Sequence, residues 1–149
     1  MAGRVRRPSD KEKLLQRLLN GNPFQTLREA IVFAAALGFA RGRREPFNES
    51  EEPIRWDLFQ DVGADSLAAM VAASGTDEIG ILSPDRIDEQ ITAFEEYANG
   101  GLSELDVLLD SQPERLPPDV ILDLVLAEEG LEGPRPELDL DSIAEEFSA

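Results

Sequence analysis

Residues 30–40, Ala-Ile-Val-Phe-Ala-Ala-Ala-Leu-Gly-Phe-Ala, form the longest stretch free of charge and strong polarity in this chain. A membrane span needs about 20 apolar residues, so the run predicts a buried helix. The helix begins near Asn22 or Thr26, the latter with Glu29 three positions on, as in a capping box. Being apolar nearly all round, this helix is expected to be the central and most buried element. Its small residues, Ala34, Ala35, Ala36 and Gly38, would let neighbouring backbones come close.

The rest of the pattern is also mostly helical. Ser9-Asp10-Lys11-Glu12 reads as a capping box ahead of Leu14, Leu15, Leu18 and Leu19 at helical spacing. Asn20-Gly21-Asn22-Pro23 stops that helix. Ile54, Trp56 and Leu58 alternate, allowing a short strand, although they could equally enter a helix at Asp57. Leu67 to Ala73 reads as a small-residue helix, and Ile79 to Leu82 as a short strand or extended run. Ser83-Pro84-Asp85 starts another helix, ended by Asn99-Gly100-Gly101. A short helix over 102–109 and one opened by Pro117-Pro118-Asp119 follow. The fold class is therefore mainly α: a compact multi-helix single domain with one or two short strands, plus an acidic C-terminal tail. The divisions are a helical domain over 1–130, with a basic arm at 1–8 and an Arg-rich loop at 41–56. A Pro/Gly linker and acidic tail occupy 131–149.

Charge is divided as sharply as hydropathy. Residues 1–55 hold 11 Lys/Arg against 7 Asp/Glu, while residues 56–149 hold 3 against 24, within a net charge of −17. Such asymmetry bears on partners rather than on fold. The 42% hydrophobic content argues for a folded chain. The basic start runs into Pro8, Ser9 and Asp10 rather than an apolar stretch, so no signal peptide is read and the cytoplasm is expected.

Cysteine and histidine are both absent. That removes disulfides, thiolate nucleophiles, the commonest general base and the commonest transition-metal ligand. Asp57, Asp61 and Asp65 could share a helix face, but with 31 acids in the chain a solvated face is the plainer reading. Asp139-Leu-Asp141 starts like a calcium loop, yet the sixth position is Ala144 and no ligand ladder follows. No phosphate-cradling glycine loop is present, and Lys11 and Lys13 lie on a helix rather than beside a strand. No metal, no cofactor and no enzymatic activity are expected.

Two features stand above this background. Arg4, Arg6 and Arg7, then Arg41, Arg43, Arg44 and Arg55, form an arginine set suited to bidentate contact with phosphates or carboxylates. It reads either as a contact for nucleic acid or an acidic partner, or as a patch balanced by the protein's own acids. Phe47 and Trp56 join it, as residue types favoured at binding hot spots; core packing is the other reading for Trp56. The tail carries Leu138, Leu140, Ile143 and Phe147 among acids, as a segment that folds on binding would, or as a final turn would that packs on its own domain.

Five stretches then coincide in order: Arg-Arg-Pro-Ser-Asp-Lys-Glu (6–12), Phe-Ala-Ala-Ala-Leu-Gly-Phe (33–39), Arg-Glu-Pro-Phe (44–47), Glu-Pro-Ile-Arg-Trp (52–56) and Phe-Glu-Glu-Tyr-Ala-Asn-Gly-Gly-Leu (94–102). Over roughly residues 4–110 the chain resembles the Dnd system-associated protein 4 family, also called DNA phosphorothioation-associated protein 4. The resemblance implies a bacterial or archaeal defence system in which DNA carries sulfur in place of a phosphate oxygen and unmodified DNA is restricted. It implies no catalytic residue. The expectation is an accessory or adaptor protein that contacts protein subunits of a modification or restriction complex. The alternatives are DNA binding by the basic half and mimicry of DNA by the acidic one.

Overall fold

Apolar residues recur at helical spacing on both sides of Asn99-Gly100-Gly101, and in the computed structural model they lie on one unbroken helix, α5 (Ile87–Asp110). The described residues are 3–20, 23–74, 76 and 78–128. Before α5 come β1 (Arg4–Pro8), α1 (Glu12–Asn20), α2 (Leu27–Ala40), β2 (Ser50–Arg55), α3 (Trp56–Gln60) and α4 (Ala64–Ser74); α6 (Pro117–Glu128) follows it. The fold is mainly α, and the described residues hold one small antiparallel sheet of two strands, β1 and β2.

The expected break at Asn99-Gly100-Gly101 does not occur, and the reason is tertiary. A Cβ on Gly101 would overlap the carbonyl of Ala34, one on Gly100 that of Arg43, and one on Gly38 that of Tyr97. The glycines are the places where α5 meets the backbone of α2 and of the segment after it. Glycine inside a helix costs about 1 kcal/mol relative to alanine. The close packing of two helices offsets that cost.

The same geometry corrects the expectation that α2 is the most buried element. Ala36 and Ala40 of α2 face solvent, whereas α5 takes α2, α4, α6 and β1 on its different sides. Core residues of α5 run from Ile91 and Phe94 through Ala98 and Leu102 to Leu105 and Leu109. Trp56, Phe59 and Phe94 form an aromatic cluster, with ring centroids 5.5 to 6.0 Å apart. Val5, Leu15, Leu18 and Ile31 complete the same core.

Local signals fared unequally. Of the two starts open for α2, Thr26 is the cap, its hydroxyl accepting from the Glu29 N–H at 3.2 Å. Ser9 does not cap α1: its N–H donates to the Glu49 carbonyl at 3.0 Å, and residues 9–11 form a 3-10 turn. Strand pairing has taken the backbone that the cap needed. Ile79–Leu82 is a 3-10 turn rather than a strand. The Gln90 side chain donates to the Ile81 carbonyl at 2.8 Å, which fixes the turn on α5. Ser83 accepts from the Asp85 N–H at 3.3 Å, opening a second 3-10 turn that leads into α5. The alternation at Ile54, Trp56 and Leu58 resolves into both readings, with β2 ending at Arg55 and α3 starting at Trp56.

The basic segment at 1–8 is not a free arm over its described part. Arg4–Pro8 pairs with β2 antiparallel, Val5 opposite Ile54, and Val5 is fully buried. The Arg-rich stretch 41–56 likewise ends in strand and helix. The linker and tail assigned to 131–149 lie outside the described residues.

Candidate functional site

Three of the seven arginines, Arg6, Arg43 and Arg44, are held along a polar strip of α5. Glu95, Glu96, Asn99, Ser103 and Glu104 recur at intervals of one turn, so their side chains line up on one helix face. The segment 43–45 and β1 lie along that strip. Arg6 donates its backbone N–H and its Nε (3.2 Å) to the Glu95 carboxylate, and its Nη2 lies 3.2 Å from the same group. Arg44 meets Glu96 at 2.7 Å. Arg43 bridges Glu45 at 3.1 Å and Glu104 at 3.0 Å.

The backbone of the loop is fastened at the same points. Arg43 N–H donates to the Gly38 carbonyl at 2.8 Å and Glu45 N–H to the Glu96 carbonyl at 3.0 Å. Asn99 donates to the Glu45 carbonyl at 3.0 Å, and Ser103 donates to the Glu45 carboxylate at 2.7 Å. The absence of side chains at Gly100 and Gly101 lets the loop and α2 settle onto α5 between these contacts.

Electrostatics follow from this geometry. Glu95 is almost completely buried, and that burial pushes its carboxyl pKa up, against the opposing pull of the Arg6 N–H and guanidinium. The hydrogen bond to Glu104, with Glu45 beside it, raises the Arg43 guanidinium above its usual value.

Each expected contact residue has a definite place. Phe47 lies under the Arg6 guanidinium, 4.6 Å from ring centroid to carbon, so that one candidate covers another. Arg44 stands over the Tyr97 ring at 5.7 Å. Arg7 pairs with Glu12 at 2.8 Å and donates to the Glu52 carbonyl at 2.9 Å. Arg41 is the C-terminal cap of α2. Arg4 and Arg55 sit directly opposite each other on the ribbon, both exposed, with Arg55 3.3 Å from Asp57. Trp56 is 3% exposed and belongs to the core, so of its two readings the packing one describes its place. Leu138, Leu140, Ile143 and Phe147 lie outside the described residues.

Sequence reasoning missed the acids that receive the arginines. Glu95, Glu96 and Glu104 were visible as charges at helical spacing, but the glycine pair between them disguised the helix they share. Asp57, Asp61 and Asp65 are exposed, and among the described residues no group of three or more acids is placed to hold a metal. An open cleft of about 400 Å³ lies beside the strip, between Arg44, Thr76, Arg86, Asp88 and Thr92. Arg86 is matched there by Glu78 at 2.9 Å and Glu89 at 2.6 Å. Among the described residues no helix is long and apolar enough to cross a membrane.

Residues 4–143 match the family model described as DNA sulphur modification system-associated protein 4. No curated protein and no solved structure matches the chain.

Proposed function

We propose, from the premise that this chain belongs to the DNA sulphur modification system-associated protein 4 family, that it is a non-enzymatic accessory or adaptor subunit. It joins the proteins that modify or restrict DNA in such a system, in the cytoplasm where that DNA lies, and it acts through protein contacts.

One observation carries this reading: five of the seven arginines suited to phosphates are engaged by the protein's own carboxylates. Arg6, Arg7, Arg43, Arg44 and Arg55 each lie within 3.3 Å of an Asp or Glu oxygen. A duplex would have to displace those acids while approaching a chain of net charge −17. Binding to DNA depends on released counterions, and few can be released where the cations are already neutralised. Residues 56–149 hold 3 Lys/Arg against 24 Asp/Glu, as suits contact with a basic protein.

The test is a pair of measurements. The purified protein should leave plain and phosphorothioated duplex unshifted in a gel at physiological salt. A tagged copy in its host should co-purify with proteins of the DNA sulphur modification system. A tight, salt-sensitive shift by the protein alone would replace this reading with direct DNA binding.

A further inference from the structure

The 3-10 turn Ile79–Leu82 presents the most exposed large apolar side chain among the described residues. Ile79 is 85% exposed and Leu82 48%. Isolated apolar residues on a surface are ordinary, but this pair is held on a firm mount. Ile81, between them, is buried with Val71, Ala72 and Ala93, and the Gln90 side chain grips its carbonyl at 2.8 Å. The sequence therefore spends one apolar residue of the turn on anchorage and leaves its neighbours in water.

The surroundings say what could cover them. Glu78, Asp85, Asp88 and Glu89 are all exposed around the turn. Arg86 is outnumbered by Glu78 and Glu89 at 2.9 and 2.6 Å, and Arg44, across the cleft, is paired with Glu96 at 2.7 Å, so with Asp85 and Asp88 the turn keeps an excess of negative charge. The cleft of about 400 Å³ opens beside the turn, with Asp88 and Glu89 in its wall.

We infer that the Ile79–Leu82 turn is a docking knob for a partner protein that offers an apolar socket edged by Lys or Arg. The apolar residues supply burial at the centre, and the acids pair with the basic edge and steer approach. An anionic membrane or a nucleic acid would be repelled by the same acids, and so would a second copy of this chain bringing the same face. The knob specifies the contact of the adaptor proposed above and rests on that reading for its biological partner.

The test separates the two. A labelled synthetic amphipathic helix built only of Leu and Lys serves as probe, read by fluorescence anisotropy. The double variant Ile79→Ser, Leu82→Ser should lose about tenfold or more in affinity. Val107→Ser, which trims another exposed apolar residue (66% exposed), should stay within about twofold as a control. Melting curves of the wild type and Val107→Ser should match, and that of the double variant should fall only slightly, because Ile79 is solvated and Leu82 only 48% exposed. Wild-type affinity in the double variant, or no binding by the wild type, overturns the knob. In the host, co-purification of system proteins by wild type and double variant alike also overturns the knob but leaves the adaptor standing. Failure of the wild type to co-purify them sinks the adaptor, while the probe still decides the knob.

Discussion

Arg6 and Glu95, 89 residues apart in the chain, are joined through both the backbone N–H and the guanidinium of the arginine. The acid is 3% exposed and the arginine side chain 37%. This one contact ties the edge ribbon to the central helix, and it places a carboxylate where water barely reaches.

Removing the cation should therefore cost more than an ordinary surface pair. Arg6→Ala removes the guanidinium and leaves the buried Glu95 only the backbone N–H of residue 6; breaking a fully buried pair costs about 3–5 kcal/mol. Because Arg6 is partly solvated, about 2 kcal/mol is expected at pH 7. Urea unfolding of both proteins measures it, and a loss below about 0.5 kcal/mol would show that the contact is no clasp.

The pH dependence has a definite sign. Burial raises the Glu95 pKa in the folded state, so folding takes up a proton over the window above the ordinary carboxylate range of about 4.3. Its contribution is fully present below that range and is lost as pH rises through the raised value. Against Glu95→Gln, which does not titrate, the melting temperature of the wild type should fall progressively as pH rises. A wild-type melting temperature that rises relative to Glu95→Gln as pH rises would reverse the assignment.

Gly101→Ala should be among the most damaging small substitutions. Its Cβ would overlap the Ala34 carbonyl, and backbone cannot swing aside as a side chain can. Overpacking of this kind costs about 1–3 kcal/mol or more. Gly80→Ala, where the nearest atom is a flexible Arg86 nitrogen at 3.7 Å, should change stability by less than about 1 kcal/mol. Equal effects in denaturant would refute the close crossing.

Trp56 is the chain's one tryptophan, and its burial gives a spectroscopic readout. Emission should be blue-shifted when folded and move red on unfolding. Trp56→Ala should cost about 3–5 kcal/mol by emptying the aromatic cluster. Trp56→Phe should cost far less, since Nε1 has no hydrogen-bond partner to lose. Solvent-like emission from the native protein would contradict the core placement.

Arg43→Ala and Arg44→Ala address the loop itself. Both side chains are 38–40% exposed, so each change should cost only about 0.2–1 kcal/mol of global stability. Hydrogen exchange should nevertheless quicken at the Arg43 and Glu45 amides, which are bonded to Gly38 and Glu96. Unchanged exchange would mean that the backbone contacts hold the loop without the ion pairs.

The sequence by itself determined the helical class, Thr26 as one of two starts for α2, the buried face of α1, and the excess of acid in the later chain. These rest on spacing between near neighbours, which a helix converts directly into a face. It also set out the arginines, and posed correctly the choice between an external contact and the protein's own acids. Only the tertiary structure assigned Glu95, Glu96 and Glu104 as partners of Arg6, Arg44 and Arg43, because those acids lie some fifty to ninety residues away. Asn99-Gly100-Gly101 shows the division most clearly. By local propensity it ends a helix, yet in the fold it continues one, because glycine there admits the backbones of Ala34 and Arg43 where any larger residue would collide. Local chemistry can name a residue's preference, but the cost of overriding it is met by contacts that exist only after the chain has packed.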